Sequence, residues 1–219
     1  MLKLHNLHIG YNNSAPIVSS IDAELSDGCF CCLLGRNGTG KSTLLRTLAG
    51  LQPPLGGTIE RPDSVGIVLT FVPDLLNTSV REMVAYGRLA HTGIWGRLHA
   101  EDYAFADEAI QLVGIQDIST RQLSTLSDGE KQKTMIARAI AQQSPLLLLD
   151  EPSAFLDYPS RRELMCLLQN LAHHHRKTVL LSTHDVELAA ASADILWIIH
   201  NKALVKKIPR IFILRNYRF

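Results

Sequence analysis

Gly35-Arg36-Asn37-Gly38-Thr39-Gly40-Lys41-Ser42 follows the apolar run Cys29 to Leu34 and precedes a helix-forming stretch that Gly50 ends. The apolar run reads as a strand covered on both faces, and the segment from about Ser42 to Ala49 as a helix. Strand, glycine-rich turn and helix in that order make an anion cradle. Glycines let successive backbone N–H groups turn toward one anion with no Cβ in the way, and the helix adds its positive end. Within the pattern G-x-x-x-x-G-K-[ST], Lys41 reaches the β- and γ-phosphates of a nucleoside triphosphate, and the Ser42 hydroxyl is suited to ligate Mg²⁺. Gly35, Arg36, Asn37, Gly38, Thr39, Gly40, Lys41, Ser42 and Thr43 are therefore the candidate triphosphate contacts. The pattern arises by chance in on the order of one chain per hundred of this length, before the strand and helix are required.

Such a loop needs an acidic metal partner from a neighbouring strand. Leu146-Leu-Leu-Leu-Asp150-Glu151-Pro152 places two carboxylates where a buried strand emerges. Asp150 is suited to hold Mg²⁺, and Glu151 to polarise the water that attacks the γ-phosphorus. A strand ending in an acidic turn is common by itself. Its pairing with the glycine loop gives it meaning.

Outward from these two segments the chain alternates strands and helices. Leu2 to Ile9 and Ile17 to Leu25 read as strands of an antiparallel, hairpin-like sheet, interrupted by Asn12, Asn13, Ser14 and Pro16. Gly57 to Glu60 and Val65 to Phe71 read as short strands. Ser79-Val-Arg-Glu82 is a capping box that opens a helix; Glu101 and Asp102 open another, with Phe105, Ala109, Leu112 and Val113 on its face. Ser127-Asp-Gly-Glu130 is a second box, followed by Met135, Ile136, Ala139 and Ile140 at helical spacing. After Leu146 to Leu149, Ser160-Arg-Arg-Glu163 caps a helix bearing Leu164, Leu167, Leu168 and Leu171. Thr178 to Ser182 and Ile195 to Ile199 are further strands. The alternation implies an α/β fold with a parallel sheet and ligands at the strands' C-terminal edge. No internal repeat and no low-complexity segment is visible.

At 219 residues, 46% hydrophobic and 20% charged, the chain has the composition of a folded globular protein. Lys+Arg 22 against Asp+Glu 21 leaves +1, which gives no electrostatic footprint for duplex nucleic acid. Cys29, Cys31 and Cys32 lack the spacing of a zinc site. Adjacent Cys31 and Cys32 would point to opposite faces of a strand, so buried reduced thiols are expected. The N-terminus shows no signal-peptide hydrophobic region, and no apolar stretch approaches the ~20 residues that span a bilayer. Work at a membrane would be done from its side.

From Met1 to His200 the chain resembles the ABC ATPase family. Walker A is Gly35 to Ser42, and Walker B is Leu146 to Asp150 with Glu151 beside it. Leu126-Ser127-Asp128-Gly129-Glu130 is similar to the signature usually written L-S-G-G-Q. Ser153-Ala-Phe-Leu-Asp157 resembles the D-loop and Ser182-Thr183-His184-Asp185 the switch-histidine loop. Tyr11 stands where the adenine-stacking aromatic would. The resemblance implies a P-loop NTPase with a RecA-like parallel-sheet core and antiparallel β subdomain (1–72 and 144–200), and an inserted helical subdomain (73–143). It also implies ATP and Mg²⁺, with Lys41, Glu151 and His184 in catalytic roles, Ser42 and Asp150 at the metal, and Ser127, Asp128, Gly129 and Glu130 facing the ATP of the opposite subunit. A capped helix N-terminus is also an anion site, so the capping-box and signature readings are compatible. A homodimer of cassettes is implied, joined to permease subunits and, indirectly, to a substrate-binding protein, at the cytoplasmic face of the inner membrane and without nucleic acid.

The stretches Ile67 to Thr70, Val80 to Arg88, Gly93 to Arg97, Ser127 to Gln132 and Glu151 to Asp157 resemble the branch importing iron chelates, haem or cobalamin. His91 and Trp95 are candidate permease contacts, or packing residues of their own lobe. Two departures stand out. Thr70-Phe-Val-Pro73 holds no glutamine where the family contacts metal and water, which leaves open a regulatory module with little hydrolysis. Residues 201–219 depart from the family's usual continuation and read as an altered or truncated tail. His173, His174 and His175 form a run at a helix end, where cations suit the dipole.

Overall fold

The computed structural model describes residues 1–11, 15–69, 77–93 and 96–209. Strands β1 (Leu2–Ile9), β2 (Val18–Leu25) and β4 (Gly56–Glu60) form an antiparallel sheet ordered β2-β1-β4. Leu2, Leu4, Leu7 and Ile9 supply its buried face. The second sheet contains β3 (Phe30–Leu34), β5 (Val65–Val68), β6 (Leu146–Asp150), β7 (Thr178–Ser182), β8 (Ile195–His200) and β9 (Ala203–Lys207), in the order β5-β6-β7-β3-β8-β9. All its pairs are parallel except β8 with β9.

One expectation about this sheet is corrected. The acidic strand β6 is not the direct neighbour of β3, because β7 lies between them. Strand order depends on non-local pairing, which the local pattern does not encode. Residues 203–207, within the stretch read as an atypical tail, form an edge strand whose mostly exposed side chains carry little hydrophobic signal. Residues 210–219 lie outside the described residues, as do Thr70 to Pro73 and Trp95.

Strand β3 is buried along its whole length and divides the interior. Phe30, Cys32 and Leu34 face a core shared with the helices; Cys31 and Leu33 face a second core with α1 (Lys41–Leu48) and the antiparallel sheet. The expected opposition of Cys31 and Cys32 is therefore realised, and all the cysteines are free.

The helical portion comprises α2 (Val80–Ala85), a 3-10 segment at Tyr86–His91, α3 (Ala100–Val113) and α4 (Asp128–Ala141). Both expected capping boxes form, at Ser79 and at Ser127. On α3, Ala106, Ala109 and Ile110 are innermost, and the expected Leu112 and Val113 are partly buried against the same core. Phe105 instead lies under the Arg88 guanidinium, 4.2 Å from ring centroid to carbon. The cap of α5 (Tyr158–His173) is also corrected. Asp157 accepts the Ser160 N–H at 3.0 Å, so Ser160 lies inside the first turn. Proline at the first turn suits that start, since its missing N–H would have had no helical partner. A short helix, α6 (Val186–Ser192), follows β7. No helix among the described residues is long and apolar enough to cross a membrane.

Candidate nucleotide site

The loop from Gly35 to Gly40 joins the end of β3 to the start of α1. Gly40 sits at φ 106, outside the range of ordinary L-residues, and a Cβ there would come 2.8 Å from Ile17 Cγ2. Only glycine fits both the turn and the wall behind it. Thr39 Oγ1 donates to Arg36 O at 2.8 Å, which closes the loop on itself.

Lys41 is 5% exposed, so its charge requires partners. Its ammonium donates to Gly35 O at 2.9 Å and lies 3.3 Å from Glu151 Oε1. The other Glu151 oxygen is 3.7 Å from His184 Nδ1, on the loop after β7. Three residues far apart in sequence thus meet at the C-terminal edge of the sheet. His184 is 58% exposed at its side chain, so the cluster opens to solvent on that side. Thr183 Oγ1 accepts the Asp185 N–H at 3.0 Å, and Asp185 caps α6. Those bonds fix the loop that carries the histidine.

Asp150 ends β6, 4% exposed. The Ser182 hydroxyl donates to its Oδ1 at 2.7 Å and accepts the Glu151 N–H at 2.9 Å. Sequence reasoning named Ser182 only as part of the switch-histidine loop and gave it no role of its own. The available signal was a hydroxyl ending the apolar run Val179 to Leu181, two residues before the histidine. Chemically the cluster offers a cation, a carboxylate that can take a proton, and an imidazole, beside backbone N–H groups turned into a loop.

Not every expected residue is gathered here. Tyr11 is 56% exposed just beyond β1. A cleft of about 340 Å³ lies along the outer side of the loop, against Pro16, Ile17, Gly38, Thr39, Ile199 and Lys202; Tyr11 is not in its wall. Ser127, Asp128, Gly129 and Glu130 lie in a separate cleft of about 470 Å³, shared with Phe155 and Asp157. Glu130 Oε2 accepts the Ser127 N–H at 2.8 Å, which holds that carboxyl below its usual range, and Arg121 donates to Oε1 at 3.1 Å. Among the described residues no hydrogen bond or ion pair links this cleft to the Lys41 cluster. A Cβ on Gly129 would lie 3.4 Å from Leu156 Cδ2 and from Phe155 O, beside the exposed Phe155 side chain. His91 Nε2 lies 2.7 Å from Gln142 O, packing on its own lobe. His173 contacts Asp194, and no group of three or more His, Cys, Asp or Glu able to hold a metal occurs among the described residues.

Comparison with known proteins adds to this geometry. The family described as "ABC transporter" matches residues 18–154. The chain is 32% identical over 209 residues to the achromobactin transport ATP-binding protein of Dickeya dadantii, covering 90% of this chain and 77% of that one. It is 34% identical over 193 residues to the molybdate import ATP-binding protein of Haemophilus influenzae, covering 88% and 76%. A solved structure of an inward-facing ABC transporter assigned to the metal-chelate type superposes with TM-score 0.89 at 31% identity, covering 96% of this chain and 84% of that one.

Proposed function

The chain belongs to the ABC transporter family, and from that membership we propose that it drives uptake of a metal chelate: a ferric siderophore, haem or a cobalamin. It is an ATP-binding, ATP-hydrolysing subunit, and such cassettes work in pairs against membrane permease subunits. The similarity to an achromobactin transport subunit and to a metal-chelate-type transporter supports the cargo class; the molybdate relative marks its nearest competitor. A substrate-binding protein would deliver the cargo, with the cassette seated peripherally on the cytoplasmic face of the inner membrane.

The observation that carries the ATPase reading is the convergence of Lys41, Glu151 and His184 beside the glycine loop. In this reading residues Gly35 to Thr43 wrap the phosphates, and Lys41 exchanges Glu151 for the terminal phosphates. Glu151, once released, accepts a proton from the attacking water. His184 donates toward the γ-phosphate as charge builds on it. Tyr11 stacks on the base, and Ser127 to Glu130 face the triphosphate of a second cassette. The oxygens of Ser42 and Asp150 fit a hard cation, since Asp150 is a buried carboxylate with one oxygen already bonded to Ser182. When bound there, Mg²⁺ neutralises charge on the β- and γ-phosphates.

Lys41→Ala is expected to abolish ATP binding, measured by calorimetry. Glu151→Gln is expected to dimerise with ATP and Mg²⁺, measured by light scattering. A glutamine variant that stays monomeric at saturating ATP, or retains wild-type phosphate release, counts against the motor. The second outcome is what a regulatory binder with little hydrolysis predicts, a reading motivated by the absence of glutamine at Thr70 to Pro73. Co-purification of the permease from membranes, then uptake of labelled ferric siderophore against molybdate in proteoliposomes, tests the cargo.

A further inference from the structure

We infer that Ser182 is a positioning residue for phosphate cleavage, one hydroxyl that sets both carboxylates at the end of β6; this rests on the roles proposed above for Asp150 and Glu151. Parallel pairing of β6 with β7 puts Ser182 opposite Asp150, and Ser182 is fully buried. A serine hydroxyl has one proton and two acceptor lone pairs. The Glu151 amide, 2.9 Å away, is a donor only, so the hydroxyl accepts there. Its own proton therefore goes to Asp150 Oδ1, at 2.7 Å. The sense of both bonds follows from the chemistry of the groups.

Each bond has a consequence. The bond to Asp150 is charge-assisted and fixes the rotation of that carboxylate, which sets how its oxygens are offered to a cation. The bond from Glu151 restrains a residue at φ 47, in the left-handed region that a side chain with a Cβ occupies at a cost. That turn carries the Glu151 carboxylate away from the strand axis toward Lys41 and His184. Ser182 itself contacts neither of those two side chains by a hydrogen bond or ion pair. It acts through the acids.

Alanine removes both bonds and leaves the half-buried Glu151 N–H without that partner, whereas threonine keeps the hydroxyl and suits a strand. In Ser182→Ala the ATPase kcat is expected to fall about tenfold to a hundredfold, the size expected for a hydrogen bond to a charged group. Mn²⁺ binding in the presence of a non-hydrolysable ATP analogue, read by electron paramagnetic resonance, weakens several-fold. Metal-free ATP affinity stays within about twofold, because the glycine loop is untouched. Ser182→Thr restores kcat and Mn²⁺ affinity. Wild-type kcat and Mn²⁺ affinity in Ser182→Ala would overturn the inference. So would a parallel loss of metal-free ATP affinity, or a threonine variant as impaired as alanine, since each marks a purely structural role. The function reading fails separately: a wild-type protein without ATP turnover sinks both, while normal wild-type turnover with an indifferent Ser182→Ala sinks only this inference.

Discussion

Asp150 and Glu151 are adjacent carboxylates whose surroundings give them different work. Asp150 still belongs to the ladder of β6, in register with Ser182, whereas Glu151 turns out of it at φ 47. One residue of backbone rotation separates a buried acid from one that meets a lysine and a histidine. Cysteine chemistry divides by position in a similar way. Burial pushes the Cys29 thiol up to about 11 and raises Cys31 and Cys32 as well, while Cys166 is exposed on α5. Thiolate, not thiol, reacts. In native protein at pH 8 a chromogenic thiol reagent is therefore expected to modify Cys166 rapidly and the other three only after denaturation. Rapid modification of a second cysteine would show that β3 is less enclosed than described.

Helix starts were the most legible elements, because their chemistry is local. The boxes at Ser79 and Ser127 need only residues three apart, and both form. The start of α5 shows the limit of that rule: Asp157 and Ser160 both suit a cap, and the proline between them favours the earlier start. On α3 only Phe105 departs from the expected face: it lies under the Arg88 guanidinium, which periodicity does not reveal. Ser79→Ala is expected to cost about 1 kcal/mol in denaturant unfolding, as an N-cap loss does. Gly87 makes a different demand. A Cβ there would lie 2.2 Å from Arg138 O, so the 3-10 segment rests against the backbone of α4. Gly87→Ala should lower the thermal midpoint and loosen amide-exchange protection in α2 and α4. Unchanged protection would mean that the two elements separate easily.

The whole molecule was legible in the sequence as an α/β core with a helical insertion, since the phosphate loop, acidic strand end and apolar runs each announce themselves. The family resemblance assigned Lys41, Glu151 and His184 to one site, but their side-chain contacts and the serine behind them were not legible, because those depend on which strands adjoin. Charge also acts at this scale. Backbone N–H bonds at helix starts hold Glu82, Glu130 and Asp102 below their usual values, and Arg81 does so for Asp107. The unfolded chain therefore takes up these protons first as pH falls. Their contribution is present above the unfolded values, near pH 4, and is lost as pH drops through the lower folded ones. The thermal midpoint should decline progressively on acidification below about pH 4.5. A midpoint that climbs over that range would reverse the assigned sign.

Strand β7, standing between the loop's strand and the acidic one, works as a spacer of fixed gauge. Adjacent strands lie about 4.8 Å apart, so two intervals hold β3 and β6 roughly 9–10 Å from each other. At the C-terminal edge of the sheet the same interval separates the glycine loop after β3 from the acids that end β6. It is spanned by the Lys41–Glu151 contact, made wholly of side chains. In the proposed reading the phosphates displace that side-chain contact alone, so no ladder bond need break and the sheet can act as a rigid caliper.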